Sequence, residues 1–348
     1  MKGKNTPEKT KNVEKAREEQ KMGEKTIEKN AITEGVIWKQ LLIFFFPIML
    51  GTLIQQLYTT VDTIIVGRFV GKAALASVGG PAAVLSTIVV TFFNGLANGA
   101  AVIIAQYYGA KDRKSLHVGL HTAYLFSIVI SLIVSLVGTV LTPWLLTIMN
   151  TPQDMMADST IYLRIYFMGI LFTLVYNMGA AIMRAVGDSR RPLLYLLVCC
   201  VMNIILDIVM VVGMKMGIAG AALATVISQC VSAILVTWSL TRAYDAMKLK
   251  FRELRMDARV LKKELKIGVP GALQACAYGV TNVVIQASVN SFGTDTAAGW
   301  AAYGKLDLIF WTVSSAFGAA VTTFAGQNYG AGRLDRVRRG TGVCMGIG

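Results

Sequence analysis

The stretch "LLIFFFPIMLGTLIQQLYTTVDTIIVGRF", residues 41–69, carries one charged side chain, Asp62, before it reaches Arg68. About 20 mostly apolar residues suffice to cross a hydrocarbon core about 30 Å thick as a helix. A barrel strand would instead alternate every second residue over about ten. Residues 41–69 do not alternate, and they are too long for a strand. The stretch predicts a membrane-spanning helix with an acid near one end.

The rest of the chain repeats this character. Of 348 residues, 54% are hydrophobic and 16% charged, against about 25% charged in soluble domains, and the mean hydropathy is +0.56. Spans are expected over about 38–67, 80–107, 117–142, 158–183, 192–213, 217–240, 266–290 and 299–328, with a ninth starting near 340. They are numbered helix 1 to helix 9 in chain order.

The basic residues alternate from one loop to the next. The 2–3 loop holds Lys111, Arg113 and Lys114, and the 4–5 loop Arg184, Arg190 and Arg191. The 6–7 loop has nine basic residues from Arg242 to Lys266, and the 8–9 loop has Arg333, Arg336, Arg338 and Arg339. The intervening loops are poor in Lys and Arg. Lys/Arg bias marks the cytoplasmic side, so the N-terminus and these four loops are expected there, in a multi-pass protein of the cell (inner) membrane. The net charge of +14 follows largely from this bias. No basic face on a soluble fold is visible, so no nucleic-acid partner is expected; the partner is the lipid bilayer.

Residues 1–35, a Lys/Glu mixture without the apolar core of a signal peptide, read as a solvated cytoplasmic tail. The five cysteines lie in apolar spans and have neither metal-ligand spacing nor a pairing that suggests a disulfide. His117 and His121, one helical turn apart, read as an interfacial pair.

"AQYYGAKDRKSLHVG" from Ala105 resembles "AGQNYGAGRLDRVRRG" from Ala325. Aligning Tyr108-Gly109-Ala110 on Tyr329-Gly330-Ala331 also places Gln106 on Gln327, and Pro47 faces Pro270 upstream. Helices 7–8 therefore repeat helices 1–2. Six helices per unit keep the membrane orientation, which is the parallel type of transporter repeat. The fold class is all-α and polytopic: two six-helix bundles, the second incomplete in this chain. The expected division is an N-lobe of helices 1–6 over 36–241, a basic linker over 242–265, and the start of a C-lobe over 266–348. By this offset a second unit would run past Gly348, so the sequence reads as a piece of a longer protein.

An acid inside a membrane is costly, faces a bundle interior or wet cavity, and marks an ion or substrate path. Asp62 lies six residues before Arg68, about 9 Å deep, and Asp207 eight before Lys215, about 12 Å deep. Asn203 is one turn before Asp207 on the same face. Tyr162, Tyr166, Thr225 and Gln229, on the two inward-running helices 4 and 6, fall in the same slab. Gln55 and Tyr58 share the Asp62 face of helix 1 and either line a cavity or bond between helices. Asn94 and Asn98 in helix 2, and Asn282 and Gln286 in helix 7, either line a cavity or bond between helices. Arg164 is expected to snorkel.

The chain resembles the MATE (multidrug and toxic compound extrusion) transporters. The resemblance rests on "VDTIIVG" in helix 1, "MRAVGDSRRP" after helix 4, Asn203-x-x-x-Asp207, and "QYYGA" and "QNYGA" at the ends of helices 2 and 8, and it covers about residues 36–348. It implies two lobes around a V-shaped cavity. It also implies efflux of organic, often cationic compounds by alternating access in exchange for H⁺ or Na⁺, by a monomer that is neither an enzyme nor in need of a cofactor. On this resemblance Asp62, Asn203 and Asp207 form the cation-coupling site and the only place for a metal, Na⁺. Tyr162, or alternatively Tyr166, and Thr225 join it. One branch of the family carries an acid in helix 7; the span from Val269 to Asn290 has none, which places coupling in the N-lobe and leans towards H⁺. Pro47 with Gly51 could bend helix 1 and move Asp62. A cationic substrate would compete with the coupling ion for the acids.

The rival reading is a flippase for lipid-linked oligosaccharides, of related architecture. Its anionic substrate calls for several cavity-facing Arg or Lys, and Arg164 is the one candidate in the sequence. An intramembrane aspartyl protease is disfavoured, since "AVGD" (185–188) lacks the first Gly of G-x-G-D and lies in a basic loop.

Overall fold

The computed structural model describes residues 32–243, 247–290 and 294–347. Most of the charged tail, residues 1–31, lies outside the described residues, as does part of the "GTDTAAG" loop. The described chain is helical. Helix α1 spans Ile37–Phe69, α2 Ala83–Gly109, α3 Arg113–Ile148, α4 Gln153–Ala185 and α5 Arg190–Asp207. They are followed by α6 Gly217–Thr241, α7 Ala258–Asn290, α8 Thr294–Gly330 and α9 Leu334–Ile347. Among the described residues, seven helical stretches are long and apolar enough to cross a membrane, and the chain is a multi-pass membrane protein.

The packing is that of a bundle in lipid. Along α3, Leu132, Leu136, Val140 and Trp144 lie 53–70% exposed. The opposite face of the same helix buries Ser127, Ser131 and Thr142, two of them completely. Large apolar side chains outside and small polar ones in the seams is the arrangement lipid favours, because close helix approach and not apolar burial drives association there. Helix α4 sits at the centre, with 61% of its apolar window buried; it packs along α3 and α6 and touches α2.

Two elements depart from regular helix. Before α2, a short helix Lys72–Ser77 leads into a wide turn, Val78–Ala82, in which Gly80 has non-helical angles (φ −94°, ψ −116°). Pro81 removes a backbone donor there. The chain therefore starts this crossing earlier than expected and kinks within it. Helix α5 opens into a second wide turn, Ile208–Gly213, immediately after Asp207. Such turns recur at functional positions.

Three acids of the basic loops cap helices. Asp112 accepts from Ser115 N (3.0 Å) at the start of α3. Asp188 accepts from Arg190 N (3.2 Å) and Arg191 N (3.1 Å) before α5. Asp257 accepts from Arg259 N (2.9 Å) and Val260 N (3.0 Å) before α7. Each satisfies amides that the first turn leaves without partners. Between α6 and α7 the linker docks on α3: buried His121 accepts from Lys250 N (3.0 Å) through Nε2 and contacts its own His117 O through Nδ1 (2.8 Å). Asp257 N donates to Thr122 (3.1 Å). His121 is therefore a built-in acceptor, and the loop that buries it is distant in sequence.

The described end of the tail is partly buried. Ile32 and Thr33 are buried. Arg333 donates to Thr33 O (2.7 Å), Arg336 to Gly35 O (3.0 Å), and Asn328 to Ile32 O (3.2 Å). Ile32 joins Phe44, Phe45 and Phe324 in one cluster. This segment ties the start of α1 to the far end of α8 and the start of α9.

The repeat appears as a reciprocal contact. A Cβ at Gly109 would fall on the carbonyl oxygen of Gln327, and one at Gly330 on that of Gln106. Residues aligned by sequence thus exchange the same contact where α2 and α8 cross at the basic end. Higher up, Gly95 and Gly99 of α2 meet Ala272 and Gly268 of α7 backbone to backbone. The equivalent seam between α8 and α1 uses Ala316 and Ala320 with Phe45, Phe317 and Met49, and the Phe45 and Phe317 rings stack at 4.0 Å.

Candidate functional site

Two groups of polar side chains lie within this frame. The first is the acid pair. Helix α1 buries Asp62 and α5 buries Asp207 and Asn203, at 7%, 0% and 1% exposure. The two carboxyl groups lie against each other. Asp62 Oδ1, both Asp207 oxygens, and the Asn203 Oδ1 and Nδ2 have no hydrogen-bond partner among the described residues. Buried polar atoms usually have partners, and two adjacent carboxylates repel. One proton between them, or one small cation held by carboxylate and amide oxygens, would relieve both.

Aromatic side chains enclose the pair. Tyr58 neighbours Asp62, Cys199 and the Gln229 side chain. Tyr162 is buried beside Asp62, Tyr166, Tyr58 and Asp207, and its ring lies parallel to that of Tyr166 with centroids 6.3 Å apart. Tyr162 is thus the helix-4 tyrosine nearest both acids, with Tyr166 reaching Tyr58. Thr225 is half-buried and its hydroxyl donates one turn back to Ala221 O (3.1 Å). Gln229, the next turn of α6, makes the connection to Tyr58.

The second group lines a central cavity between α1, α2, α4, α5, α7 and α8. It has two adjoining chambers of about 260 and 470 Å³. Gln55, Pro47 and Gly51 line the first. Gln55 therefore belongs to the cavity and not to the acid pair. Helix α1 runs unbroken through Pro47. Asn94, Asn98, Arg184, Ser315 and Ala319 line both chambers. Neither Asp62 nor Asp207 is among the lining residues.

Three features were not legible in advance. Arg184, counted above with the 4–5 loop, belongs to the last turn of α4 and faces the cavity; Arg164 is exposed. The count of cavity cations used against a flippase therefore picked the wrong arginine, because α4 extends to Ala185. Helix 7 does contain an acid. It begins at Ala258, behind the Asp257 cap, and Glu264 is 3% exposed with Oε1 unpartnered. The spacing Glu264, Gly268, Ala272 marks one helix face, which a start at 266 concealed. The absence of a helix-7 acid can no longer favour H⁺. The burial of Ile32 and Thr33 is the third. The side chain of Gln286 lies outside the described residues. Among the described residues, no three His, Cys, Asp or Glu side chains converge as metal ligands.

The duplicated crossing, the acid pair and the central cavity together define a membrane transporter of repeat architecture. The MatE family profile matches residues 47–209 and 270–348, and the chain belongs to that family. It is 34% identical over 312 residues to the probable multidrug resistance protein YpnP of Bacillus subtilis (strain 168), covering 88% of this chain and 68% of that protein. Identity to the probable multidrug resistance protein YoeA of the same strain is 28% over 312 residues, covering 87% of this chain and 67% of that protein. The chain thus spans about two thirds of the length of these relatives. Among solved structures, it is similar to a MOP superfamily transporter from Pyrococcus furiosus (TM-score 0.84, 21% identity, 91% of this chain and 70% of that one). It is equally similar to a MATE protein solved in a bent conformation (TM-score 0.84, 22% identity, 91% and 71%).

Proposed function

We propose that the protein is a secondary active efflux transporter of the cell membrane, which exports organic compounds in exchange for H⁺ or Na⁺ by alternating access. The observation that carries this reading is the buried Asp62–Asp207 pair with Asn203, five of whose side-chain polar atoms lack partners among the described residues. Its relatives' designation as multidrug resistance proteins supports the export of drug-like compounds. The lysine- and arginine-rich end is cytoplasmic on this reading, with the N-terminus inside and the protein acting as a monomer.

The mechanism follows from differential binding. An ion entering the pair removes net negative charge from a site on α1 and α5, and the two helices can repack around it. Exchange requires only that the inward- and outward-facing states differ in affinity for ion and compound. Since neither acid lines the central cavity, the compound and the ion act on each other through α1 and not by sharing oxygens. Pro47, which lines the cavity on the same helix as Asp62, is the residue placed to transmit a bend.

The test is efflux of two dyes, the cation ethidium and the carboxylate-bearing rhodamine 110, from loaded proteoliposomes under a proton gradient and, separately, a sodium gradient. The reading expects one of them to drive efflux. Efflux under neither would move the assignment to the lipid-linked oligosaccharide flippase, to which Arg184 lends one cavity cation.

A further inference from the structure

The charge of the central cavity comes from Arg184 and not from the acids. Arg184 lines both chambers. Its one ionisable neighbour is Tyr176, and no hydrogen bond or ion pair occupies it among the described residues. The nearby carboxylate of Asp188 is already used: Oδ1 caps α5, and Oδ2 pairs with Arg191 at 3.3 Å. The position in the last turn of α4 gives Arg184 some support from the carbonyl end of the helix, but does not explain its facing the cavity. The first chamber is also lined by amide side chains, Asn94 and Asn98 from α2, Asn177 from α4 and Gln55 from α1. Each can turn an N–H towards an oxygen anion. A partly desolvated cation without a counter-ion is unfavourable, and a planar guanidinium matches a carboxylate in a two-bond fork.

We propose that this cavity floor is an anion subsite, and that the compounds this protein carries are small amphipathic organic acids or zwitterions whose carboxylate docks on Arg184. The inference rests on the transport reading and narrows its substrate class from organic compounds in general to carboxylates. The chambers suit a drug-sized body. The apolar part of the compound would lie against Pro47, Leu193 and Leu196, which line the same chamber.

The test compares rhodamine 110, which has a free carboxylate, with rhodamine 123, its methyl ester, by fluorescence polarisation on the purified full chain without any gradient. The wild type is expected to bind the acid about tenfold or more tightly than the ester, the scale of one charge-assisted contact. Arg184→Gln should bring that ratio to about one by weakening the acid alone, and Arg184→Lys should retain part of it. Retained ester binding shows that a variant is folded. Equal affinity in the wild type, a ratio unchanged in Arg184→Gln, or binding of neither dye overturns the subsite. Competition separates two sources of anion: 1-naphthoate should displace the acid, and displacement by short-chain phosphatidylglycerol alone would overturn the assignment to soluble compounds. Because binding is read without an ion gradient, failure of gradient-driven efflux and failure of the subsite are distinguishable.

Discussion

Asp112 and Asp62 show how one residue type performs two tasks in this chain. Asp112 lies at the basic surface, where hydrogen bonds from the Ser115 side chain and backbone hold its carboxyl below the usual carboxylate range. A lowered native value stabilises the fold at neutral pH, above the unfolded value, and the contribution fades as pH falls through the native value. Asp112→Ala is expected to cost about 1 kcal/mol of stability near neutral pH, with the gap to wild type narrowing in acid. Thermal unfolding of the purified protein at both pH values checks this; an equal gap would show that the charge plays no part. Asp62 is buried without such donors. The sequence displayed both acids, and depth within a span singled out Asp62 together with Asp207. It could not show that Asp62 and Asp207 touch, because contact depends on how α1 and α5 rotate against each other. Nor could it place Thr225, whose hydroxyl turns to its own helix. Arg184 was misread because a basic residue three positions before a glycine looks like a loop residue until the helix end is known.

At the scale of elements, the seams explain where the glycines fall. Gly109 and Gly330 allow α2 and α8 to cross backbone to backbone, each glycine against the other helix's glutamine carbonyl. Substituting either by Ala should push the crossing apart and weaken closure at the basic end, lowering stability by roughly 1–3 kcal/mol, as overpacking does. Gly318→Ala is the control. It has open space around its Cβ position, and Ala is the better helix former by about 1 kcal/mol, so no loss is expected. Thermal stability of the three variants in one detergent decides; similar losses in all three would refute the crossing as the tight point. The repeat that places these glycines was readable from "QYYGA" and "QNYGA". The extended start of α7 was not, because Lys262, Lys263 and Lys266 resemble a loop when the Asp257 cap is overlooked.

At the scale of the molecule, hydropathy, alternating basic loops and the duplication carried the architecture, because membrane insertion constrains sequence strongly. The chemistry inside was less legible: burial of a polar side chain in a bundle is decided by neighbours far away in sequence. The account places ion coupling in the Asp62–Asp207 pair and compound binding in the separate cavity floored by Arg184, linked by α1. The measurement that tests this most directly is a double-mutant cycle on gradient-driven efflux from proteoliposomes, with Asp62→Asn, Asp207→Asn and the double variant. Residues that act as one unit are strongly non-additive. Each single substitution should therefore abolish coupled efflux as completely as both together, while rhodamine binding persists. Partial losses in the single variants that add up in the double variant would contradict the account, since the acids would then act separately.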